Sequence, residues 1–160
     1  MTTKSTALHI RVSLRTQSLE LWQDDDLLKT YPVSTSRFGA GTEEASFKTP
    51  LGTFEVCEKF GDQVPLHTVF QSREPIGTWN PAESCEADLI VARILRLGGL
   101  DSDNANSYER FIYIHGTNHE DLIGTPASQG CVRMKNCDVI ELYDLVPTGT
   151  SVRIFEGSHS

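Results

Sequence analysis

The stretch Leu8-His9-Ile10-Arg11-Val12-Ser13-Leu14 alternates apolar and polar side chains, which is the two-residue period of a strand with one buried face. Residues 18–22 and 27–33 are expected to form the next two strands. Asp24-Asp25-Asp26 lies between them and is typical of a turn, because short polar side chains hydrogen-bond to the backbone there. The chain is therefore expected to begin as an antiparallel meander.

Further strands are expected along the rest of the chain. Residues 53–60 alternate in the same way, and 88–97 is apolar enough for a buried strand, although a short helix also fits that pattern. Residues 110–114 predict a strand that ends at His115-Gly116, and residues 151–155 predict the last strand. The stretch 61–85 has no sustained period and contains three prolines, so it is interpreted as a long functional loop, with another loop at 98–107.

One helix stands out. Asn136 or Asp138 is expected to cap it, an apolar stripe runs to Val146, and Pro147 and Gly149 end it. The sequence thus predicts a mainly β domain with one clear helix, an α+β class. We expect a single domain over residues 1–160, with its core at about 8–155.

Composition limits the classes of partner. The 160 residues carry a formal net charge of -8, so nucleic acid is not expected as a main partner, since phosphate binding needs a basic face. No stretch reaches the roughly 18 apolar residues of a membrane helix, so no membrane partner is expected. The polar residues 1–6 do not resemble a secretory signal, which predicts a cytoplasmic location.

The four cysteines do not indicate a metal site. Their even number allows two disulfides, but a reducing cytoplasm disfavours them. Because no Cys-x-x-Cys pair and no matching histidine pair occurs, neither a metal nor another cofactor is expected.

Two short segments carry the chemistry: His115-Gly116-Thr117 and Ser128-Gln129-Gly130-Cys131-Val132-Arg133-Met134. A thiol nucleophile needs a base that removes its proton, and a histidine at the end of a strand is well placed for this. Backbone N–H groups in a glycine-containing turn can stabilise an oxyanion. These residue types suggest a cysteine nucleophile, although an isolated cysteine is more often a small buried apolar side chain.

The second segment resembles the signature of the YkuD-type L,D-transpeptidase catalytic domain, in which Ser-His-Gly-Cys precedes a hydrophobic residue and Arg or Asn. Two other landmarks of that family, Pro32-Val33-Ser34-Thr35 and Thr49-Pro50-Leu51-Gly52-Thr53-Phe54, occur in the expected order. Gln129 departs from the pattern because it stands where the family usually has histidine. It removes a titratable group but keeps a donor and an acceptor.

The resemblance implies a β-sandwich-like domain of mixed and antiparallel sheets with a long lid loop. It implies Cys131 as nucleophile and His115 as its base, with an ion pair that lowers the thiol pKa. The N–H groups of Gly130 and Cys131 would form the oxyanion site, and a backbone carbonyl would orient the histidine. Arg133 would bind a substrate carboxylate. Further substrate contacts are expected from Ser128, Gln129, Gly116 and Thr117, although bracing of the turn is the favoured role of Ser128.

The implied substrates are peptidoglycan-derived muropeptides. Given the expected cytoplasmic location, the favoured activity is an L,D-carboxypeptidase that removes the terminal D-alanine from tetrapeptide stems during wall recycling. An exported protein would instead be an L,D-transpeptidase that forms cross-links. A third hypothesis is a non-catalytic muropeptide-binding module, which the presence of both Cys131 and His115 disfavours.

Overall fold

The computed structural model describes residues 7–43, 46–83 and 85–157, and these form a mainly β fold with one α-helix. The strands are β1 Leu8–Ser13, β2 Ser18–Gln23, β3 Asp26–Ser34, β4 Gly52–Phe60, β5 Thr68–Gln71, β6 Glu74–Thr78, β7 Ile90–Gly99, β8 Tyr113–Thr117, β9 Val132–Met134 and β10 Ser151–Phe155. The helix α1 is Asn136–Leu145, and 3₁₀ turns lie at Ser102–Asn104 and Glu120–Leu122. The predicted fold class is confirmed. Within the described ranges, no helix is long and apolar enough to cross a membrane.

The described strands form one sheet in the order β4-β10-β1-β2-β3-β9-β8-β7-β5-β6. An additional pairing of β4 with β7 closes the strands from β4 to β7 in that order into a ring, from which the β5–β6 hairpin extends. The β1–β10 and β8–β9 pairs are parallel, and the other described pairs are antiparallel. The sheet is therefore mixed, as the family resemblance implied, but the described strands form one sheet rather than the sandwich-like pair of sheets that it also implied.

The apolar residues of the alternating pattern near the start of the chain lie on the inner face of this sheet. Ile10, Val12, Leu19 and Leu21 are all fully buried, and β1 pairs with β2 in the register Ile10–Leu21. Burial of each such side chain stabilises the fold by roughly 1.5–3 kcal/mol, which is why the period-2 pattern predicts the strands well.

Helix α1 packs on β7 and β8, and its residues Val139 and Leu142 are buried in the main core cluster. The prediction that Asn136 or Asp138 caps the helix is wrong, because Lys135 occupies the cap position and makes no side-chain cap bond. The backbone N–H of Asn136 is instead bound by Glu120 Oε2 at 2.7 Å. A carboxylate at this end complements the positive pole of the helix dipole.

The predicted loop 61–85 contains the β5–β6 hairpin, so that interpretation is corrected. Its turn residues Ser72 and Arg73 both have positive φ, 50° and 67°, which is the backbone conformation of a type I′ turn. Neither residue is the Asn or Gly that normally indicates such a turn. Strand β6 is exposed throughout and contains Pro75, so it shows no alternation of burial.

Three further elements near the site add to or change the sequence-based prediction. The stretch 88–97, left open between strand and helix, is strand β7. The strand predicted at 110–114 begins only at Tyr113, because Phe111 has a positive φ of 57°, and His115 therefore lies at its centre rather than at its end. Strand β9 was not predicted, since three residues are too few to show a period.

Asn136 ties the end of β8 to the start of α1. Its Oδ1 accepts the Thr117 N–H at 2.8 Å, and its Nδ2 donates to the Thr117 carbonyl at 3.0 Å. The approach is close because Gly116 has no side chain: a Cβ there would lie 2.2 Å from Asn136 Oδ1 and 2.4 Å from the Val91 carbonyl. Gly116 and Thr117 therefore belong to the packing beneath the site.

Gly116→Ala is expected to lower the free energy of unfolding by at least about 2 kcal/mol, since the added methyl group would have to displace backbone atoms of β7. Urea denaturation monitored by tryptophan fluorescence measures the effect. Gly77→Ala is the control for added volume, because a Cβ at Gly77 meets nothing within 4 Å and only the φ of +159° there adds backbone strain. Equal midpoints for the two variants would contradict this assignment of Gly116.

Candidate active site

Strand pairing brings the predicted nucleophile and base onto one face. The parallel β8–β9 register pairs His115 with Arg133, so Cys131, two residues before Arg133, lies diagonally across from His115. Side chains two residues apart on a strand point to the same side. Tyr113, His115 and Arg133 therefore share one face of the two paired strands, and Cys131, just before β9, is joined to β8 by the hydrogen bond from the Tyr113 N–H to its Sγ.

Cys131 and His115 line the same cleft, which has a volume of about 280 Å³. Charged, polar and apolar side chains complete the lining: Phe47, Asp88, Ile90, Arg110, Phe111, Ile112, Ser128 and Gln129. Beneath it, Cys131 packs on a small cluster of Phe70, Ile94 and Tyr113. The predicted nucleophile is therefore half-buried at the base of an open cleft.

The side-chain hydrogen bond of His115 indicates its tautomer. The imidazole is buried, and its Nδ1 is hydrogen-bonded to the Gly116 carbonyl. A carbonyl can only accept, so Nδ1 carries the proton and Nε2 keeps a lone pair. Burial lowers the pKa of His115 below its ordinary value, although the Gly116 hydrogen bond and the charge of Asp88 oppose that shift. His115 is thus a neutral imidazole that can accept a proton at neutral pH.

The Cys131 thiol is hydrogen-bonded to backbone groups at and just before the start of β8. Its Sγ donates to the Phe111 carbonyl and accepts the Tyr113 N–H, both at 3.3 Å. Burial raises its pKa to about 11, and the Tyr113 hydrogen bond only partly opposes this. The expectation of a thiolate–imidazolium pair with a lowered thiol pKa is therefore corrected. The resting group is a thiol, and it needs a base at the moment of attack.

These pKa shifts predict the pH dependence of kcat/KM. The competent form of His115 is neutral, and it exists above a pKa that burial depresses below 6.5. We expect one acidic limb with its midpoint below pH 6.5 and a plateau from pH 7 to 9, since a thiol with a pKa of about 11 does not ionise there. A second rise across pH 7–9 would show that thiolate formation, rather than base-assisted attack, controls the rate.

Ser128 braces the turn that carries the nucleophile. It is buried, its Oγ donates to the Cys131 carbonyl at 2.6 Å, and the same Oγ accepts the Gly130 N–H at 3.3 Å. Since the Gly130 N–H is engaged in this way, only the Cys131 N–H is retained as a proposed oxyanion donor. Gly130 itself has a φ of +124°, which favours glycine at this position.

Thr35 and Thr49, from the two upstream family motifs, form hydrogen bonds to the turn that precedes Cys131. Thr49 Oγ1 donates to the Gly130 carbonyl at 3.0 Å and accepts the Ser36 N–H at 3.0 Å. The Ala127 and Ser128 N–H groups both donate to the Thr35 carbonyl, at 3.0 and 2.9 Å. Segments that are distant in sequence therefore fix the backbone that positions Cys131. The residues of the two upstream motifs thus have a structural role in the site.

Three of the predicted substrate contacts lie outside the cleft lining. Gly116 and Thr117 are buried against Asn136, so their assignment to substrate binding is corrected. The Arg133 side chain is only 3% exposed, and its Nη1 donates to Asp88 Oδ1 at 2.9 Å. A side chain buried behind a carboxylate cannot reach a substrate anion directly, so its role as a carboxylate clamp is corrected as well. Gln129 is exposed and lines the cleft.

Asp88 and Arg110 are the charged residues that the motif did not reveal as part of the cleft. Arg110 donates to the Lys48 carbonyl at 2.8 Å and the Gly41 carbonyl at 3.3 Å, and its charge lowers the pKa of Cys131 against the larger effect of burial. Asp88 precedes β7, and no sequence motif marks it. Arg110 likewise lies outside the two motif segments.

Neither a metal site nor a disulfide is part of this arrangement. Across residues 7–43, 46–83 and 85–157, no group of three or more His, Cys, Asp or Glu side chains is positioned to hold a metal ion. The cysteines at 57, 85, 131 and 137 are all free thiols.

Comparison with known proteins gives a consistent result. Residues 7–154 match the family model YkuD, described as the L,D-transpeptidase catalytic domain. The YkuD protein of Bacillus licheniformis, named as an L,D-transpeptidase, is 32% identical over 145 residues, which are 91% of this chain and 64% of that protein. The corresponding Bacillus subtilis protein is 30% identical over 91% of this chain and 65% of its own length. The chain thus spans just under two thirds of these relatives.

Solved structures show the same fold at lower identity. An L,D-transpeptidase from Xylanimonas cellulosilytica aligns with a TM-score of 0.61 and 20% identity over 96% of this chain and 63% of that one. L,D-transpeptidase 3 from Mycobacterium tuberculosis, solved with a faropenem-derived adduct, aligns with a TM-score of 0.61 and 16% identity over 94% and 60% of the two chains. At these identities, the likeness shows the fold alone.

Proposed function

Since this chain belongs to the YkuD family of L,D-transpeptidase catalytic domains, we propose that Cys131 attacks a peptide carbonyl of a peptidoglycan stem and holds the acyl group as a thioester. The observation that carries the proposal is the shared cleft, which the thiol of Cys131 and the neutral imidazole of His115 both line. A nucleophile with a positioned base is the arrangement that acyl transfer requires.

The proposed first step runs through His115. Its Nε2 takes the proton of Cys131 Sγ as the sulfur bonds to the carbonyl carbon, and the Cys131 N–H stabilises the developing oxyanion. Collapse of this intermediate breaks the carbon–nitrogen bond, and the proton on Nε2 passes to the leaving amine. The products are a thioester on Cys131 and a free terminal D-alanine.

In the second step, an acceptor attacks the thioester carbonyl and returns a proton to the thiol through His115. Water as acceptor gives an L,D-carboxypeptidase, and the amine of another stem gives an L,D-transpeptidase. We favour water, because hydrolysis needs no second peptide subsite beside the cleft. The names of the relatives favour transfer. A cytoplasmic location and a role in wall recycling remain predictions.

Product analysis tests this proposal. Purified protein is incubated with a tetrapeptide stem bearing a terminal D-alanine, and the products are separated and weighed by mass spectrometry. Release of D-alanine with a tripeptide as the main product supports hydrolysis, whereas a cross-linked dimer supports transfer. Binding of the stem without any release of D-alanine would contradict catalysis and favour a muropeptide-binding module.

A further inference from the structure

The turn at residues 108–111 carries the carbonyl that receives the Cys131 thiol. Cys131 Sγ donates to the Phe111 carbonyl and accepts the Tyr113 N–H, both at 3.3 Å, and this sulfur forms no hydrogen bond to any other described residue. These two backbone groups therefore orient the thiol in the cleft. The position of the Phe111 carbonyl in turn depends on what holds the 108–111 turn.

The turn has an unfavourable backbone conformation at Phe111. Its φ of 57° lies in the left-handed region, which a bulky side chain adopts only where the surrounding structure enforces it. The Phe111 N–H donates to the Tyr108 carbonyl at 3.1 Å, which closes the turn. The Phe111 side chain is 50% exposed, so burial of its ring does little to fix the residue. Contacts from neighbouring strands must therefore stabilise this conformation.

Arg96 of β7 supplies such contacts. It pairs with Glu58 of β4 on one side and with Tyr113 of β8 on the other, and its side chain is only 8% exposed. Its Nη2 donates to the Tyr108 carbonyl at 2.8 Å. Its guanidinium carbon lies 3.5 Å from the centre of the Tyr108 ring and 5.1 Å from that of the Phe111 ring, where a planar cation interacts favourably with aromatic faces. Arg96 thus contacts both the backbone and the rings of the turn.

Glu58 fixes the orientation of this guanidinium. Its Oε1 accepts the Tyr108 hydroxyl at 2.7 Å and Arg96 Nη1 at 3.4 Å. Glu58 therefore binds one nitrogen of the guanidinium, and the Tyr108 carbonyl binds the other. A planar group held at two nitrogens and stacked on a ring has little freedom to rotate, which suits it to hold a turn in place.

We propose that Arg96 is a positioning residue: it holds the 108–111 turn so that the Phe111 carbonyl orients the Cys131 thiol for attack. Arg96 lies outside the cleft lining, so it acts through Phe111 rather than on a substrate. The effect on catalysis rests on the proposed function, whereas the orientation of the thiol can be measured without turnover. Displacement of a reacting atom by about 1 Å can lower a rate by about 10²-fold, so this support is expected to matter.

Raman spectroscopy tests the orientation of the thiol. The S–H stretching band of Cys131 is isolated as the difference between the spectra of a protein and of its Cys131→Ala counterpart. Arg96→Met keeps a stem of similar length but has no donor, so we expect the band to broaden and move to higher frequency as the thiol loses its acceptor. Arg96→Lys keeps the charge without the planar guanidinium and should show a smaller shift in the same direction. It carries the test if Arg96→Met does not fold.

Arg93→Met is the matched control. Arg93 is a second buried arginine of β7, but it donates to the Val64 and Ala92 carbonyls and lies outside the cleft lining. Its loss should leave the band of Cys131 unchanged. An unchanged band in Arg96→Met, or an equal shift in Arg93→Met, would overturn the inference.

Kinetics test the consequence for the reaction. With a tetrapeptide stem, we expect Arg96→Met to lower kcat by about 10- to 100-fold because the sulfur is no longer held in place. KM should stay within about twofold, since Arg96 does not line the cleft. An unchanged kcat, or a rise in KM alone, would overturn the positioning role. If the unmodified protein releases no D-alanine, the proposed function fails, while the Raman band still decides whether Arg96 orients the thiol.

Discussion

Cys131→Ala is expected to lower D-alanine release from a tetrapeptide stem by roughly 10⁴-fold or more, to the background of the assay. Loss of a nucleophile removes the covalent pathway altogether, and comparable triad knockouts cost about that much or more. The variant should still fold, since Cys131 is half-buried and alanine leaves the β8–β9 pairing intact. Release of free D-alanine, followed by a coupled oxidase assay, gives the rate.

Cys137→Ala is the matched control. This second thiol is exposed near the start of α1 and lies outside the cleft lining, so its removal should leave the rate within about twofold. If Cys131→Ala retained the rate of the unmodified protein, the nucleophile would have to be another group, and the proposed mechanism would fail.

His115→Gln is expected to lower kcat/KM by about 10²- to 10⁴-fold, the usual contribution of a general base. The burial of Cys131 makes this effect large: with a thiol pKa raised to about 11, almost no thiolate exists at pH 7 without help from a base. Glutamine can preserve a hydrogen bond to the Gly116 carbonyl but cannot take the proton. The initial rate of D-alanine release at saturating and limiting substrate separates kcat from KM.

The pH profile distinguishes a lost base from a merely disturbed fold. The acidic limb below pH 6.5 should vanish in His115→Gln, because the group that titrates there is gone. His9→Gln, on β1 and outside the cleft lining, should keep both the rate and the limb. An acidic limb that persisted in His115→Gln would assign the titration to another residue and contradict the role of His115.

The sequence predicts features that neighbouring residues determine better than features that depend on contacts between segments far apart in the chain. The alternation in β1 and β2 follows from local periodicity, so these strands were predicted close to their observed bounds. Cys131 and His115 were predicted as a pair because the family motif encodes their chemistry, although their proximity arises from the β8–β9 pairing. Strand β9 itself is too short to carry a pattern.

Arg133 shows why the other features of the site could not be predicted from the sequence. The motif indicates an arginine next to the nucleophile, and a guanidinium suits a carboxylate ligand, so a substrate role was the natural prediction. Its burial against Asp88 depends on the pairing of Ile90 with Thr117, between segments far apart in the chain. The thiol pKa follows the same logic, because burial is a tertiary property that the motif does not contain.

The most direct test of the central claim is to map a covalent adduct with an acylating agent. The protein is incubated with p-nitrophenyl acetate, an activated ester that can acylate a thiol, then digested and analysed by tandem mass spectrometry. The account predicts that the added mass lies on Cys131 and forms much more slowly in His115→Gln. An adduct on the cysteine at 57, 85 or 137 with Cys131 unmodified, or equal rates in the two proteins, would contradict it.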